Sequence, residues 1–334
     1  MLIPDFIRAC RCYRNIMDRD YDIVIAGGGL AGLTAGMTAA RLGRKTLVLT
    51  GDMIGGQLIS IEKIEGFPGF PDGIPGYDLA PMTQEEATNA GAEFAATQLT
   101  GLTQQEKGWR LATGEGEVLA RGVVLATGSS LKELGVPGEA RLRGQGVSHC
   151  ASCDAPLLRQ KIAAVVGGGD SAMQEALTLA QHVAQVVMLT RGPALTGQAS
   201  YRARVTQEPK ISVRCNVEVR EILGDTKVNG LRMRDMSGGA ASELQADAVF
   251  VYIGLQPNTA FLDSRIKLAP SGGIPTDGAM RTERVGVCAA GTVRAGAPCR
   301  AASSAGDGAA AAIAVDRYLT DGVWRQEQTR EHAL

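Results

Sequence analysis

Short β-branched runs alternate with alanine- and leucine-rich stretches along most of this chain, and several of the runs end in glycine. Residues 21–26 (YDIVIA) are apolar at nearly every position, the pattern of a strand buried on both faces. They lead into Gly27-Gly28-Gly29-Leu30-Ala31-Gly32. Residues 30–42 then have helical composition, and residues 46–49 (TLVL) read as a second strand. Residues 123–126 (VVLA) predict another buried strand, ending in Thr127-Gly128. The order then recurs. Residues 162–166 (IAAVV) predict a strand, Gly167-Gly168-Gly169-Asp170-Ser171-Ala172 a turn, 172–182 a helix and 186–189 (VVML) a strand. Residues 248–253 are again strand-like and precede Gly254-Leu255-Gln256-Pro257-Asn258-Thr259. Residues 287–290 predict a strand before Gly291-Thr292, and 302–318 an alanine-rich helix.

Each glycine turn lies between a strand and a helix, the context in which such a motif speaks for dinucleotide binding. The first glycine allows the sharp turn, the second lets a pyrophosphate approach the backbone, and the third lets the helix pack on the strand; the helix N-terminus then faces the phosphates. Gly27, Gly29 and Gly32 fill these places in the first turn. Gly167, Gly169 and Ala172 fill them in the second, with Asp170 and Ser171 opening its helix. The expected fold is α/β, with two Rossmann-like dinucleotide-binding domains, the second inserted into the first. The expected boundaries are an extension over 1–20, a discontinuous first domain over 21–129 and 256–334, and an inserted domain over 130–255. The acid that commonly follows such a turn and grips a ribose hydroxyl is missing from both. Thr50 ends the strand in one, Thr190-Arg191 in the other. Arg191 points toward NADPH over NADH, or else is a solvated strand end.

The chain has 334 residues, 45% of them hydrophobic, and a formal net charge of −1. That balance gives no support for nucleic acid or a membrane surface as partner. No apolar run is long enough to span a bilayer, and charges interrupt the first twenty residues, so no signal peptide is expected. The seven cysteines are odd in number and sparse, which fits a reducing, cytoplasmic compartment better than a secreted scaffold. Met17 directly precedes the first strand, so residues 1–16, with Cys10 and Cys12, read as an extension or an upstream start.

Cys150-Ala151-Ser152-Cys153-Asp154 lies between the two glycine turns. As half of a zinc site it lacks a second pair, since His182 and His332 stand apart, so no metal is expected. Two buried structural cysteines are a second reading. The third is a redox pair closing a small reducible loop, with a thiolate favoured where a helix begins. Asp154 would then supply the proton that exchange requires, cap a helix, or both. His149 either lowers a thiol pKa or is simply packed.

Over about residues 21–320 the chain resembles the low-molecular-weight thioredoxin reductases. The resemblance is carried by YDIVIAGGGLAG, Gly55-Gly56-Gln57-Leu58, Glu65-Gly66-Phe67-Pro68-Gly69-Phe70, Ala126-Thr127-Gly128, the Cys150–Asp154 segment, the second glycine turn, and Ile253-Gly254-Leu255-Gln256-Pro257-Asn258-Thr259. It implies FAD in the discontinuous domain, held by the first turn with Gly56, Gln57, Leu58, Thr127, Gly128, Gly291, Thr292, Arg300, Ala301 and Ala302. It implies NADPH, or NADH, in the inserted domain, a homodimer, and domain rotation about joints near 128–130 and 254–257. Cys153 would lie nearer the flavin, Cys150 would attack the partner's disulfide, and Asp154 would be the general acid. Four places depart from the family pattern. Of three basic positions after the second turn only Arg191 remains, with Gly192 and Thr196 at the others. Gly291-Thr292 replaces Gly-Asp, Gly66 replaces Asn, and Arg300-Ala301-Ala302 replaces Arg-Gln-Ala. These changes surround the flavin and the donor and spare the dithiol.

The leading expectation is an enzyme that passes electrons from NAD(P)H through FAD to Cys150–Cys153, and on to thioredoxin, a similar protein or a small disulfide. The alternatives are a dithiol oxidase using oxygen, a reductase fed by another donor such as ferredoxin, and a non-catalytic dinucleotide-binding sensor.

Overall fold

The computed structural model describes residues 20–239 and 241–324. Of the extension expected over 1–20, only Asp20 falls among them, and Cys10, Cys12 and His332 lie outside. The described residues divide into two compact units, one within 20–129 and 257–324 and the other within 130–256.

The first unit is built on β1 (Asp20–Ala26), flanked by β2 (Thr46–Leu49) and then β3 (Glu93–Ala95), all parallel. On its other side lies β6 (Gly116–Leu125). β6 is long because it serves two partners. Its first half pairs antiparallel with β5 (Gly108–Thr113), which pairs with β4 (Leu99–Gln105). Its last residues pair parallel with a late strand, Val287–Ala289. Side chains of β1 alternate between faces. Ile23 and Ile25 pack toward helices, whereas Val24 and Ala26 join the opposite cluster with Trp109 and Leu111. Burial on both faces explains why the strand reads as a continuous apolar run. The helices on the first face are α1 (Leu30–Arg41) and the alanine-rich helix Ala301–Asp321. Their small residues let them approach closely: a Cβ at Gly308 would overlap the Ala31 carbonyl. The alanine-rich helix stops at Gly322, whose left-handed backbone (φ 73°) caps it. The other helix of this unit, α2 (Gly76–Asn89), carries Pro81 in its interior.

The second unit has a parallel sheet in the order β11 (Ile211–Arg214), β10 (Gln185–Leu189), β9 (Ile162–Val166), β15 (Ala248–Val251) and β8 (Val147–Ser148). Ala163, Val165, Val186, Met188 and Phe250 face a layer that includes Ala172, Met173 and Ala176 of α4 (Asp170–Ala180) and Tyr201 of α5 (Ala199–Gln207). On the opposite face, Ala164, Val187 and Val249 pack under an antiparallel meander of β12 (Val217–Leu223), β13 (Gly230–Asp235) and β14 (Ala241–Gln245). Between β8 and β9 comes a single helical turn, α3 (Ala151–Asp154). Two short strands, β7 (Ser129–Leu131) and β16 (Leu255–Pro257), pair where the chain passes from one unit to the other. After them β17 is the late strand Val287–Ala289 and α6 the alanine-rich helix Ala301–Asp321.

Candidate active site

The two glycine turns are built alike. In the first, Gly27 has φ 124° and donates to the Leu49 carbonyl at 2.7 Å. A Cβ at Gly28 would lie 2.9 Å from Thr50 Cβ, and one at Gly32 would overlap the Gly27 carbonyl. In the second, Gly167 has φ 145° and donates to Leu189 O at 2.8 Å, and a Cβ at Gly168 would lie 2.8 Å from Thr190 Oγ1. Thr50 and Thr190, which stand where an acid was expected, therefore each close on the middle glycine of their turn. Gly29 and Gly169 differ from their neighbours. A Cβ there would meet nothing within 4 Å, and each is the N-cap of its helix with no side-chain cap. Each helix thus starts at a bare glycine with open space beside it, the arrangement that lets a pyrophosphate approach a helix N-terminus.

This contrast yields a pair of opposite expectations. Gly32→Ala should destabilise the first unit by about 3 kcal/mol or more, because the methyl has no room. Gly29→Ala should leave thermal stability unchanged or slightly raised, since its φ of −75° suits any residue. It should nevertheless weaken dinucleotide retention by obstructing the phosphates. Thermal denaturation of ligand-free protein beside a nucleotide-retention assay separates the two.

Several further residues gather at the first turn. Gly29 bridges to Gly55, which donates to Gly28 O at 2.8 Å. This sets the following 3₁₀ turn, Gly56–Ser60, against the glycines. There Leu58 is buried, and the Gln57 amide donates to Ser129 O. Thr127 and Asn258 exchange bonds: Thr127 Oγ1 donates to Asn258 O at 2.8 Å and Asn258 Nδ2 to Thr127 O at 3.0 Å. Ser129 Oγ donates to Thr292 O at 2.8 Å, and a Cβ at Gly128 would lie 3.7 Å from Thr292 Oγ1. Gly291 (φ 74°) comes so near α1 that a Cβ would lie 2.9 Å from Ala31 Cβ. Arg300 is the N-cap of α6, with reciprocal bonds to Ser303, and Ala301 packs on the cluster around Leu30 and Leu58. Residues from five separated segments are thereby brought to one end of β1.

Sequence reasoning did not find what holds the Gly291 turn. Asp307 of α6 accepts from Gly291 N at 3.1 Å, and Arg294 forks onto both its oxygens at 2.8 and 3.1 Å. Arg294 also donates to Thr276 Oγ1 at 2.8 Å. The only trace in the sequence is an acid inside an alanine-rich helix.

At the second turn, Ala172 is fully buried and Ser171 exposed. Asp170 points away from the helix axis, its Oδ1 accepting from Gln198 N at 2.6 Å. Thr196 N donates to Gly168 O at 2.8 Å, so the segment after β10 is tied down to the turn at both places. Arg191 is exposed on that segment.

Cys150 and Cys153 form a disulfide, with Cα atoms 5.3 Å apart. It spans the start of α3, where Cys150 is the N-cap and its Sγ accepts from Cys153 N at 3.3 Å. Cys153 is exposed and Cys150 partly so. Asp154 ends α3 beside the sulfurs, and its side chain makes no cap bond to the following turn. The His149 ring is engaged through Nδ1 with Val251 O at 3.1 Å, the packed role of the two weighed for it. The other described cysteines, Cys215, Cys288 and Cys299, are unpaired. Burial pushes the Cys288 thiol far above its ordinary value, which leaves it protonated and inert. Among the described residues no cluster of His, Cys, Asp and Glu has the makings of a metal site, and no helix is long and apolar enough to cross a membrane.

The sequence profile described as pyridine nucleotide-disulphide oxidoreductase matches residues 21–309. A thioredoxin reductase of Treponema pallidum (strain Nichols) is 37% identical over 303 residues, covering 91% of this chain and 98% of that protein. The crystal structure of Lactococcus lactis thioredoxin reductase superposes with a TM-score of 0.87 at 33% identity, covering 90% of this chain and all of the other. That of T. acidophilum thioredoxin reductase gives the same score and identity, with 91% of this chain covered.

Proposed function

The chain belongs to the pyridine nucleotide-disulphide oxidoreductases and, within them, to the thioredoxin reductases, and from that premise we propose that it reduces thioredoxin or a similar disulfide through Cys150 and Cys153. The observation that carries this reading is the Cys150–Cys153 disulfide itself, partly open to solvent and on the unit that holds the second glycine turn. FAD and NADPH are the cofactors of this family. Bound FAD supplies the two-electron link between a nicotinamide hydride and a disulfide. The residues gathered at the first turn fit it: open backbone at Gly29 for the pyrophosphate, with Gly56, Gln57, Thr127, Gly128, Gly291 and Thr292 arranged beyond. Arg300, Ala301 and Ala302 would close the far side at the start of α6. Gly169 and the first turn of α4 fit the nicotinamide dinucleotide.

The chemistry of the reduced pair is taken from the family resemblance, which makes Cys150 the attacking thiol. The Cys150 thiolate attacks one sulfur of the partner's disulfide, forming a mixed disulfide and releasing the other sulfur, which takes a proton. In this reading Asp154, the residue after Cys153, would give that proton. Cys153 then attacks Cys150 Sγ, restoring the bridge and freeing the partner as a dithiol, so two electrons and two protons have moved. The same reading makes the enzyme a homodimer working in a reducing, cytoplasmic compartment, supported by the family resemblance and the sparse cysteines. The oxidase, ferredoxin-fed and sensor alternatives are not favoured by these relatives.

Anaerobic addition of NADPH should bleach the flavin absorbance and allow reduction of a thioredoxin substrate. Bleaching without any disulfide reduction would refute the proposal. With Arg191 the sole basic residue at the family's three positions, and exposed, the kcat/KM preference for NADPH over NADH should be no more than about tenfold. Arg191→Ala should bring the ratio near one. A parent preference above a hundredfold would show that other residues read the 2′-phosphate.

A further inference from the structure

Next to the CxxC turn stand a half-buried carboxylate and a buried hydroxyl that the exchange chemistry does not use. Glu175, near the middle of α4, accepts from Ala151 N at 3.2 Å. It thereby ties the first residue of α3 to the helix that opens at the nucleotide turn. Tyr252, just past β15, packs among Ala151, Ala155 and Ala172 and is 7% exposed. Its backbone is fixed, with N donating to Val166 O at 2.8 Å and its carbonyl set under Gly167. Its hydroxyl is buried with Glu175 and the Ala151 backbone as polar neighbours, and neither meets it in good hydrogen-bond geometry. A buried hydroxyl left without a partner costs stability, so one kept beside a carboxylate calls for a reason.

We propose that Glu175 is a positioning residue for the dithiol: its carboxylate pins the CxxC turn to the nucleotide-binding helix and disfavours the thiolate form of reduced Cys150. The inference rests on the reading of Cys150–Cys153 as a redox pair. A carboxylate bound to the amide next to Cys150 places negative charge where a thiolate would form, and the site is partly shielded from water, so that charge is felt. The other titratable groups facing the turn are His149, engaged with Val251 O, Asp154 on the turn itself, and Tyr252. Burial, with the Glu175 charge next, pushes the Tyr252 hydroxyl far above its ordinary value. Tyr252 therefore stays neutral and keeps its O–H as a donor, which suits a neighbouring carboxylate.

The test uses the holoenzyme, reduced and desalted without oxygen, then treated with iodoacetamide across a pH series. Alkylation of Cys150 is read by peptide mass spectrometry, which sets aside the other cysteines. Glu175→Gln keeps an oxygen for Ala151 N–H but removes the charge, and should lower the Cys150 ionisation midpoint by about one pH unit. Glu175→Asp keeps the charge but shortens its reach, and its midpoint should stay closer to the parent's. A Glu175→Gln midpoint equal to the parent's would overturn the inference, and so would equal lowering in both variants, which would mark a purely structural role. If Cys150 is no more reactive after reduction than before, the redox reading itself fails, an outcome distinct from both.

Discussion

Cys150→Ser protein is expected to lose thioredoxin reduction by on the order of 10³-fold or more, while its flavin is still bleached by NADPH. The hydroxyl cannot ionise in the working range and forms no mixed disulfide, so the exchange step has no nucleophile. The nucleotide turns lie elsewhere in the chain and keep their geometry: the first is in the other unit, and the second is held by Leu189, Thr190 and Thr196. Steady-state turnover against rapid-mixing flavin reduction separates the two halves. Turnover within tenfold of the parent would mean that electrons leave by a route other than this pair.

Asp307→Ala is expected to cost about 3–5 kcal/mol, the usual consequence of stripping one partner from a buried ion pair. The Arg294 and Asp307 side chains are 13% and 11% exposed, so solvent does little to replace the lost charge. The change leaves a guanidinium uncompensated and the Gly291 amide without its acceptor. A fall in melting temperature of about 10 °C should accompany it. Flavin should also be lost more readily, because Gly291-Thr292 is the turn that closes on α1. Asp307→Asn, which keeps an oxygen for Gly291, should fall between. Replacing Arg294 by Met in the Asp307→Ala background should recover much of the stability, since the orphaned charge goes with it. Equal stability of Asp307→Ala and the parent in calorimetry would show that the pair is not what holds the turn.

The parts of the fold that could be read from the sequence are those buried on both sides. β1, β2, β9, β10 and β15 are apolar at most positions, because helices or a meander cover each face. The helix predicted over 302–318 extends over Ala301–Asp321, and its alanine content now has a cause in the close contact with α1 at Gly308. The helix predicted over 172–182 begins two residues earlier, at Asp170, because Gly169 serves as its cap. The meander β12–β14 was not legible. One of its faces is solvated, and charged residues such as Arg232, paired with Glu221 and Glu243, break the apolar pattern. α2 was hidden by its polar surface and by Pro81.

At the site, the glycines and the CxxC announce themselves because each needs a particular residue type at a short spacing. The supports do not. Asp307 acquires its meaning from Arg294 and Gly291, which reach it only after the chain has turned back on itself. Glu175 acquires its meaning from the Ala151 amide, across the depth of the second unit. Thr50 and Thr190 were visible only as missing acids; their contacts with Gly28 and Gly168 are tertiary.

The measurement that bears most directly on the account is an anaerobic reductive titration of the flavin-loaded enzyme, counting electrons taken up per flavin. With a disulfide in redox contact with the flavin, the parent should take up four, two in the flavin and two in Cys150–Cys153, and the Cys150→Ser protein only two. Uptake of two electrons by both proteins would contradict the account, for it would show that the bridge never receives electrons from the flavin.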